Sequence, residues 1–132
     1  MARSLLTLES MTQSRIALGK TGEDLACREL ERLGYAVIER RVRFRSGEID
    51  IVARDGQAVV FVEVKARESG AFGGGGEAVT AYKRRRIAQL AAEYAARRRL
   101  GERAFRFDVV AVRLDSEPPS IEVYKNAFSA TG

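Results

Sequence analysis

The chain has 132 residues, of which 45% are hydrophobic and 31% charged, with a net charge of +5 at neutral pH. This is the composition of one globular domain with a single core, and it excludes a disordered segment. Histidine is absent and Cys27 is the sole cysteine, which excludes an internal disulfide, a Cys/His zinc site and any histidine base.

Residues 1–14 read as a loose N-terminal extension whose apolar patch, Leu5, Leu6 and Leu8, is too short for a signal-peptide core or a membrane span. With the lone thiol, that points to a reducing, cytoplasmic setting and to no membrane partner. Residues 15–125 then form one domain. Over residues 13–33 the apolar side chains Leu18, Leu25, Ala26, Leu30 and Leu33 recur at helical spacing, and Gly34 stands where a helix stop belongs. Residues 35–44 are rich in strand formers. Residues 49–53 and 58–66 are the clearest strands, with Asp55-Gly56 between them as a hairpin signal.

After Arg67 the chain changes character. Residues 68–77, with Gly70 and the run Gly73 to Gly76, read as a flexible loop. Phe72 within it is either a wedge against a base or a hydrophobic anchor for the segment. Residues 80–100 form a second helix with Ile87, Leu90, Ala91 and Tyr94 on one face. Residues 105–114 are a further strand, Pro118-Pro119 breaks the chain, and residues 121–124 add a short last strand before a frayed tail at 126–132. The expected order is therefore helix, three strands, helix, then one or two strands. The first three strands would form an antiparallel meander, and the strand after the second helix would lie parallel to a neighbour. The fold class is α/β, a mixed central sheet flanked by helices.

Residues two apart on a strand share a face, so Phe61, Glu63 and Lys65 point one way and Val60, Val62 and Val64 the other. A two-residue Asp55-Gly56 turn would pair Arg54 with Gln57 and bring Asp50 opposite Phe61, making Asp50 and Glu63 diagonal neighbours roughly 6–8 Å apart at Cβ. Two carboxylates so placed can converge on one hard divalent cation, Mg²⁺ or Mn²⁺, since no nitrogen or sulfur ligand is on offer. Such an ion polarises a phosphoryl oxygen and acidifies a bound water. Lys65 beside it could orient that water or stabilise the pentacovalent transition state. Glu23 adds a second anomaly, a carboxylate on the small, apolar helix stripe Gly19, Ala26, Leu30 and Leu33. Its burial needs compensation, by a metal or by Lys65. Gly19 and Gly22 beside it would let the helix approach another backbone or a phosphate closely. Glu-x-Lys on a strand is more often a solvated face with a cross-strand ion pair, so the weight rests on the three residues together with Glu23.

These residues carry a resemblance. Gly19-Lys20-x-Gly22-Glu23-x-x-Ala26, Gly34-Tyr35, Gly47-Glu48-Ile49-Asp50-Ile51-Val52, Phe61-Val62-Glu63-Val64-Lys65-x-Arg67 and Arg106-Phe107-Asp108-Val109-Val110 occur in the order seen in the YraN family of small bacterial proteins. That family is similar to the archaeal Holliday junction resolvases of the PD-(D/E)xK nuclease superfamily. The resemblance spans about Gly19 to Leu114 and implies an αβββαβ restriction-endonuclease-like core. By position it implies Asp50 as the metal-binding Asp, Glu63 and Lys65 as the (D/E)xK pair, and Glu23 as the acidic residue of the first helix. Ile49 stands in the place of the Pro of the motif name. Glu48 is either a competing ligand or a cross-strand partner at the edge of Glu63. The implied activity is that of a Mg²⁺- or Mn²⁺-dependent endonuclease, while the fold and the metal site are implied more firmly than junction cutting. A homodimer is compatible with two strands to cut, though no interface is legible in the chain.

The expected partner is nucleic acid, DNA above all. Lys83, Arg84, Arg85 and Arg86, flanked by Tyr82, open the second helix, and Arg43 and Arg45 precede the candidate site. Charge of this density holds a phosphate backbone in a salt-dependent, sequence-independent way. Its bland counterpart is a solvated, arginine-rich helix face. Arg67 either contacts phosphate near the metal or pairs with Glu68. Two rivals to the enzyme are a non-catalytic nucleic-acid-binding module of the same fold that works with a partner, and a basic protein that docks on an RNA-rich assembly without metal.

Overall fold

A computed structural model of the chain describes residues 8–67 and 80–129, with side chains from residue 19 onward. In chain order the elements are α1 (Leu8–Arg32), β1 (Ala36–Phe44), β2 (Gly47–Asp55), β3 (Ala58–Arg67), α2 (Ala81–Arg97), β4 (Phe105–Arg113) and β5 (Ser120–Phe128). They match the expected order. The boundaries shift most at the two ends of the chain: α1 begins at Leu8, ahead of Gln13, and β5 runs past Lys125 to Phe128, whose ring is buried and stacks on Phe107 at 5.0 Å. The glycine-rich loop with Phe72, and residues 1–7 of the N-terminal extension, lie outside the described residues.

The strands form one sheet in the order β1-β2-β3-β4-β5. The pairs β1–β2, β2–β3 and β4–β5 are antiparallel, and β3–β4 is parallel. A parallel pair needs a long crossover, and α2 supplies it. Each helix covers one face. Ala26, Cys27 and Leu30 of α1 pack on Ile51, Ala53, Val60, Val62, Val110 and Val112. On the opposite face, Leu90, Ala91 and Tyr94 of α2 pack on Val52, Val59, Phe61, Phe107 and Val109. The alternation along β3 and β4 produces the two cores directly. Phe61 is the hub of the second, with the rings of Tyr94, Phe105 and Phe107 each 5.7 Å away. Its complete burial is worth about 2–3 kcal/mol.

Local signals set the helix ends. Gly34, at φ +99°, closes α1 with the N–H of Tyr35 bonded to the carbonyl of Leu30 and that of Gly34 to Glu31, the double bond of a Schellman cap. Thr80 caps α2, its hydroxyl accepting from the N–H of Lys83.

The β2–β3 hairpin departs from the expected register. Asp55 pairs with Ala58, so the turn is Gly56-Gln57 with Gly56 at φ +63°, and the ladder runs to Ile51 opposite Val62. This even change of register keeps the facing of the paired residues 51–55. The ladder stops one residue short of Asp50 and Glu63, so the two carboxylates are not a ladder pair.

Candidate metal and nucleic-acid site

Ile49 packs in the α2 core and Ile51 in the α1 core, although residues two apart normally share a face. Strand β2 therefore turns over at Asp50. Strand β1 turns over at the paired position: Arg40 reaches α1 while Val42 packs with α2, and Arg41 between them has φ +52°. Left-handed backbone is uncommon for a non-glycine residue. The ladder from β2 to β3 ends here. In its place the Asp50 side chain reaches across, and its Oδ2 accepts the N–H of Val64 at 2.8 Å.

The parted strands open a cavity of about 580 Å³ lined by Asp50, Glu63, Lys65, Glu23 and Glu48, with Lys20, Arg41, Arg43, Arg67 and Lys83 among its basic walls. All four residues of the expected centre meet in it. Helix α1 can stand so near because residue 22 has no side chain: a Cβ there would lie 2.6 Å from that of Ala66. Gly19 has no such role, since a Cβ there meets open space.

Each carboxylate of the cavity is held differently. Glu23 is buried, and its Oε1 accepts from Nε and Nη2 of Arg40 at 3.2 and 3.0 Å and from Nε of Arg41 at 3.0 Å. These two arginines provide the compensation its burial requires. Glu48 accepts from its cross-strand partner Arg43 at 3.1 Å, so the edge it shares is that of β1. Glu63 is paired with the Lys83 ammonium at 3.1 Å. Asp50 has its one backbone donor and sits among like charges. Burial first, then the charge of Glu63, pushes its carboxyl up to about 7, against the pull of the Val64 N–H, with Glu23 and Glu48 adding repulsion. Lys65 is buried in the floor of the same cavity.

The donor set suits a hard cation. Asp50 and Glu63 present oxygen, and a positive ion beside them would remove the repulsion that raises the Asp50 pKa. Among the described residues no three His, Cys, Asp or Glu side chains converge to enclose an ion. An ion held by two carboxylates would keep water in its other positions, as Mg²⁺ commonly does.

The basic residues expected to hold nucleic acid do not act as one comb. Arg43, Arg67 and Lys83 stand on the main cavity. Arg85 and Arg86 line a second concavity with Ser46, Tyr82 and Gln89. Arg45 lines a third with Arg43, Phe44 and Arg86. Arg84 lines none of these three, and its Nε is buried without a hydrogen-bond partner among the described residues. The roles of Arg40 and Arg41 toward Glu23, and of Lys83 toward Glu63, were not legible in the sequence. The left-handed turn of Arg41 leaves no compositional trace. Cys27 is buried in the α1 core, and burial pushes its thiol up, away from reactivity.

Fold and site together define an α/β protein with a nuclease-like core and an acid-lysine cavity at a break in its sheet. The chain matches Uncharacterised protein family UPF0102 over residues 22–112 and belongs to that family. It is 47% identical over 112 residues to a UPF0102 protein of Geobacter metallireducens, covering 85% of this chain and 92% of the relative. It is 53% identical over 95 residues to one of Symbiobacterium thermophilum, covering 72% and 80%. A third, from Moorella thermoacetica, is 46% identical over 120 residues, covering 89% and 100%.

Proposed function

We propose that this chain is a Mg²⁺- or Mn²⁺-dependent endonuclease-like protein that hydrolyses phosphodiester bonds in DNA, with branched or structured DNA as its preferred form. The observation that carries this reading is the meeting of Asp50, Glu63 and Lys65 in one cavity where the β2–β3 ladder stops. Asp50 and Glu63 would hold the ion, which when bound supplies charge for the phosphoryl oxygen and an acidified water. Lys65, on the cavity floor, would stabilise the extra charge on the phosphorus oxygens as they become more negative. Arg43, Arg67 and Lys83, on the walls, would seat the flanking phosphates. Glu23 acts through Arg40 and Arg41, holding β1 against α1 so that the gap at Asp50 stays open.

The test is cleavage of labelled single-stranded, duplex, flapped and four-way-junction DNA with Mn²⁺ or Mg²⁺, comparing wild type with Asp50→Ala. Cleavage that disappears in the variant supports the enzyme and shows the preferred structure. One observation favours a second reading, a non-catalytic DNA-binding module of the same fold: Glu63 is already neutralised by Lys83, and Glu23 by two arginines. Binding without cleavage, equal in both proteins, would make that module the answer.

The described residues include no helix long and apolar enough to cross a membrane. A DNA substrate would be met in the cytoplasm, the setting this reading assigns to the chain.

A further inference from the structure

Beside the main cavity, the geometry points to a separate site for one unpaired nucleobase, built on Tyr82 with Arg85, Arg86 and Gln89. Spaced i, i+3, i+4 and i+7, these four residues form a single stripe of α2, and with Ser46 they line a concavity of about 230 Å³. Tyr82 is 62% exposed, the most exposed large apolar side chain among the described residues. This ring packs into neither hydrophobic core, and its neighbour is a guanidinium of the same helix. A core contact would have buried it.

The ring is held in place. Its hydroxyl accepts from Nη1 of Arg86 at 2.8 Å, and the Arg86 guanidinium lies 6.0 Å from the ring centroid. Arg86 is fixed in turn by a hydrogen bond from Nη2 to the carbonyl of Ser46. The β1–β2 turn fits closely beneath it, since a Cβ on Gly47 would lie 3.0 Å from the Arg86 Nε. A platform ordered before binding loses little entropy when a ligand stacks on it. The chemistry around it is mixed: a π face, two guanidinium groups, and the Gln89 amide, which both donates and accepts. A phosphate alone would need only the cations. A base needs the ring and finds hydrogen-bonding groups at its edge.

Placement ties this stripe to the main site. Ser46 and Arg86 also line the third concavity, and that one shares Arg43 and Glu48 with the main cavity. Lys83, next to Tyr82, stands on the main cavity wall. A strand whose phosphates follow Arg43 and Lys83 would present its neighbouring base to Tyr82. In an intact duplex that base is stacked and offers no free face, whereas a single-stranded flap, gap or bulge does. This inference rests on the nucleic-acid reading above and names the substrate class: DNA with an unpaired nucleotide beside the scissile phosphate.

The test is run in a chelator, so that it does not depend on cleavage. The probe is a single strand of roughly 12 nucleotides carrying 2-aminopurine at its centre, compared with the same strand in a duplex. Tyr82→Ala should weaken single-strand binding about 5- to 100-fold and abolish the quenching of 2-aminopurine, while Tyr82→Phe, which keeps the ring and loses the Arg86 bond, should retain the quenching with a smaller loss of affinity. Duplex affinity should change by less than about two-fold, since phosphate contacts dominate it. Equal single-strand affinity in wild type and Tyr82→Ala, an equal loss on both probes, or no single-strand binding at all would overturn the site. Failure of the nuclease reading is seen elsewhere, in cleavage that Asp50→Ala does not remove or that never occurs. Stacking on Tyr82 can survive that result.

Discussion

Two aspartates of the same sheet, on strands that flank β3, are held in opposite ways. Asp108 on β4 is fully buried and receives four hydrogen bonds: from the Tyr35 hydroxyl at 2.7 Å, from Nε and Nη2 of Arg106 at 2.9 Å each, and from the N–H of Asn126 at 2.8 Å. Arg106 also donates to Asp55 at the end of β2. This network ties β2, β4, β5 and the entry to β1 together. Asp50 on β2 receives one backbone N–H and faces Glu63, Glu23 and Glu48. Asp108 is surrounded by donors, whereas Asp50 is left short of them, which is the state a carboxylate would have if it held a ligand as proposed above.

The largest expected effect is on the satisfied side. Asp108→Ala should destabilise the fold by about 3–5 kcal/mol, because it removes the one acceptor shared by Tyr35, Arg106 and the Asn126 N–H and leaves Arg106 with Asp55 as its remaining carboxylate partner. Urea unfolding at neutral pH measures it, and a loss below about 1 kcal/mol would remove the contrast between the two aspartates.

The next effect has the opposite sign. The Asp50 carboxyl is raised from 3.8 to about 7 in the folded chain, so folding takes up a proton between those values. Its ionisation therefore costs stability, progressively as pH rises from about 4 to 7, with the penalty complete above 7. Asp50→Asn keeps an acceptor for the Val64 N–H and should stabilise the metal-free protein by about 2–4 kcal/mol at pH 8 and by almost nothing below pH 4. Thermal unfolding across that range decides. A variant less stable than wild type at pH 8 would give Asp50 a structural role.

A smaller effect sharpens the first. Tyr35→Phe deletes one of the four donors to Asp108 and should cost about 1–2 kcal/mol in the same urea titration. If it equals the Asp108→Ala loss, the network behaves as a single unit.

The smallest effect concerns Glu63, whose carboxylate is paired with the Lys83 ammonium. Lys83 is half exposed, so its bond to Glu63 is weak. It nevertheless competes with any cation for the same oxygens. Lys83→Met should tighten Mn²⁺ binding in the absence of DNA by about 3- to 10-fold, measured by the loss of free Mn²⁺ signal in electron paramagnetic resonance. Weaker binding would show that Glu63 is not a ligand.

Much of the fold was legible because it depends on local signals. The alternation of Val59 to Val64, the stop at Gly34 and the long crossover before Phe105 each specify an element or a facing without reference to distant residues. Strand facing, the helix stripe and the family resemblance together marked Asp50, Glu63, Lys65 and Glu23 as a set, and the cavity is lined by all four. The hairpin register was misplaced by one turn position because Asp55-Gly56 and Gly56-Gln57 are both acceptable turns, and a glycine serves either.

Composition, periodicity and short-range capping thus determined the elements, their order and the candidate acids and bases. The tertiary structure decided how the carboxylates are held. Arg40 and Arg41 belong to Glu23, Lys83 belongs to Glu63, and Asp50 sits where both strands turn over. Periodicity reports which way a residue faces on its own strand. It carries no information about a left-handed residue on the neighbouring strand, or about the charge that a helix brings from twenty positions away.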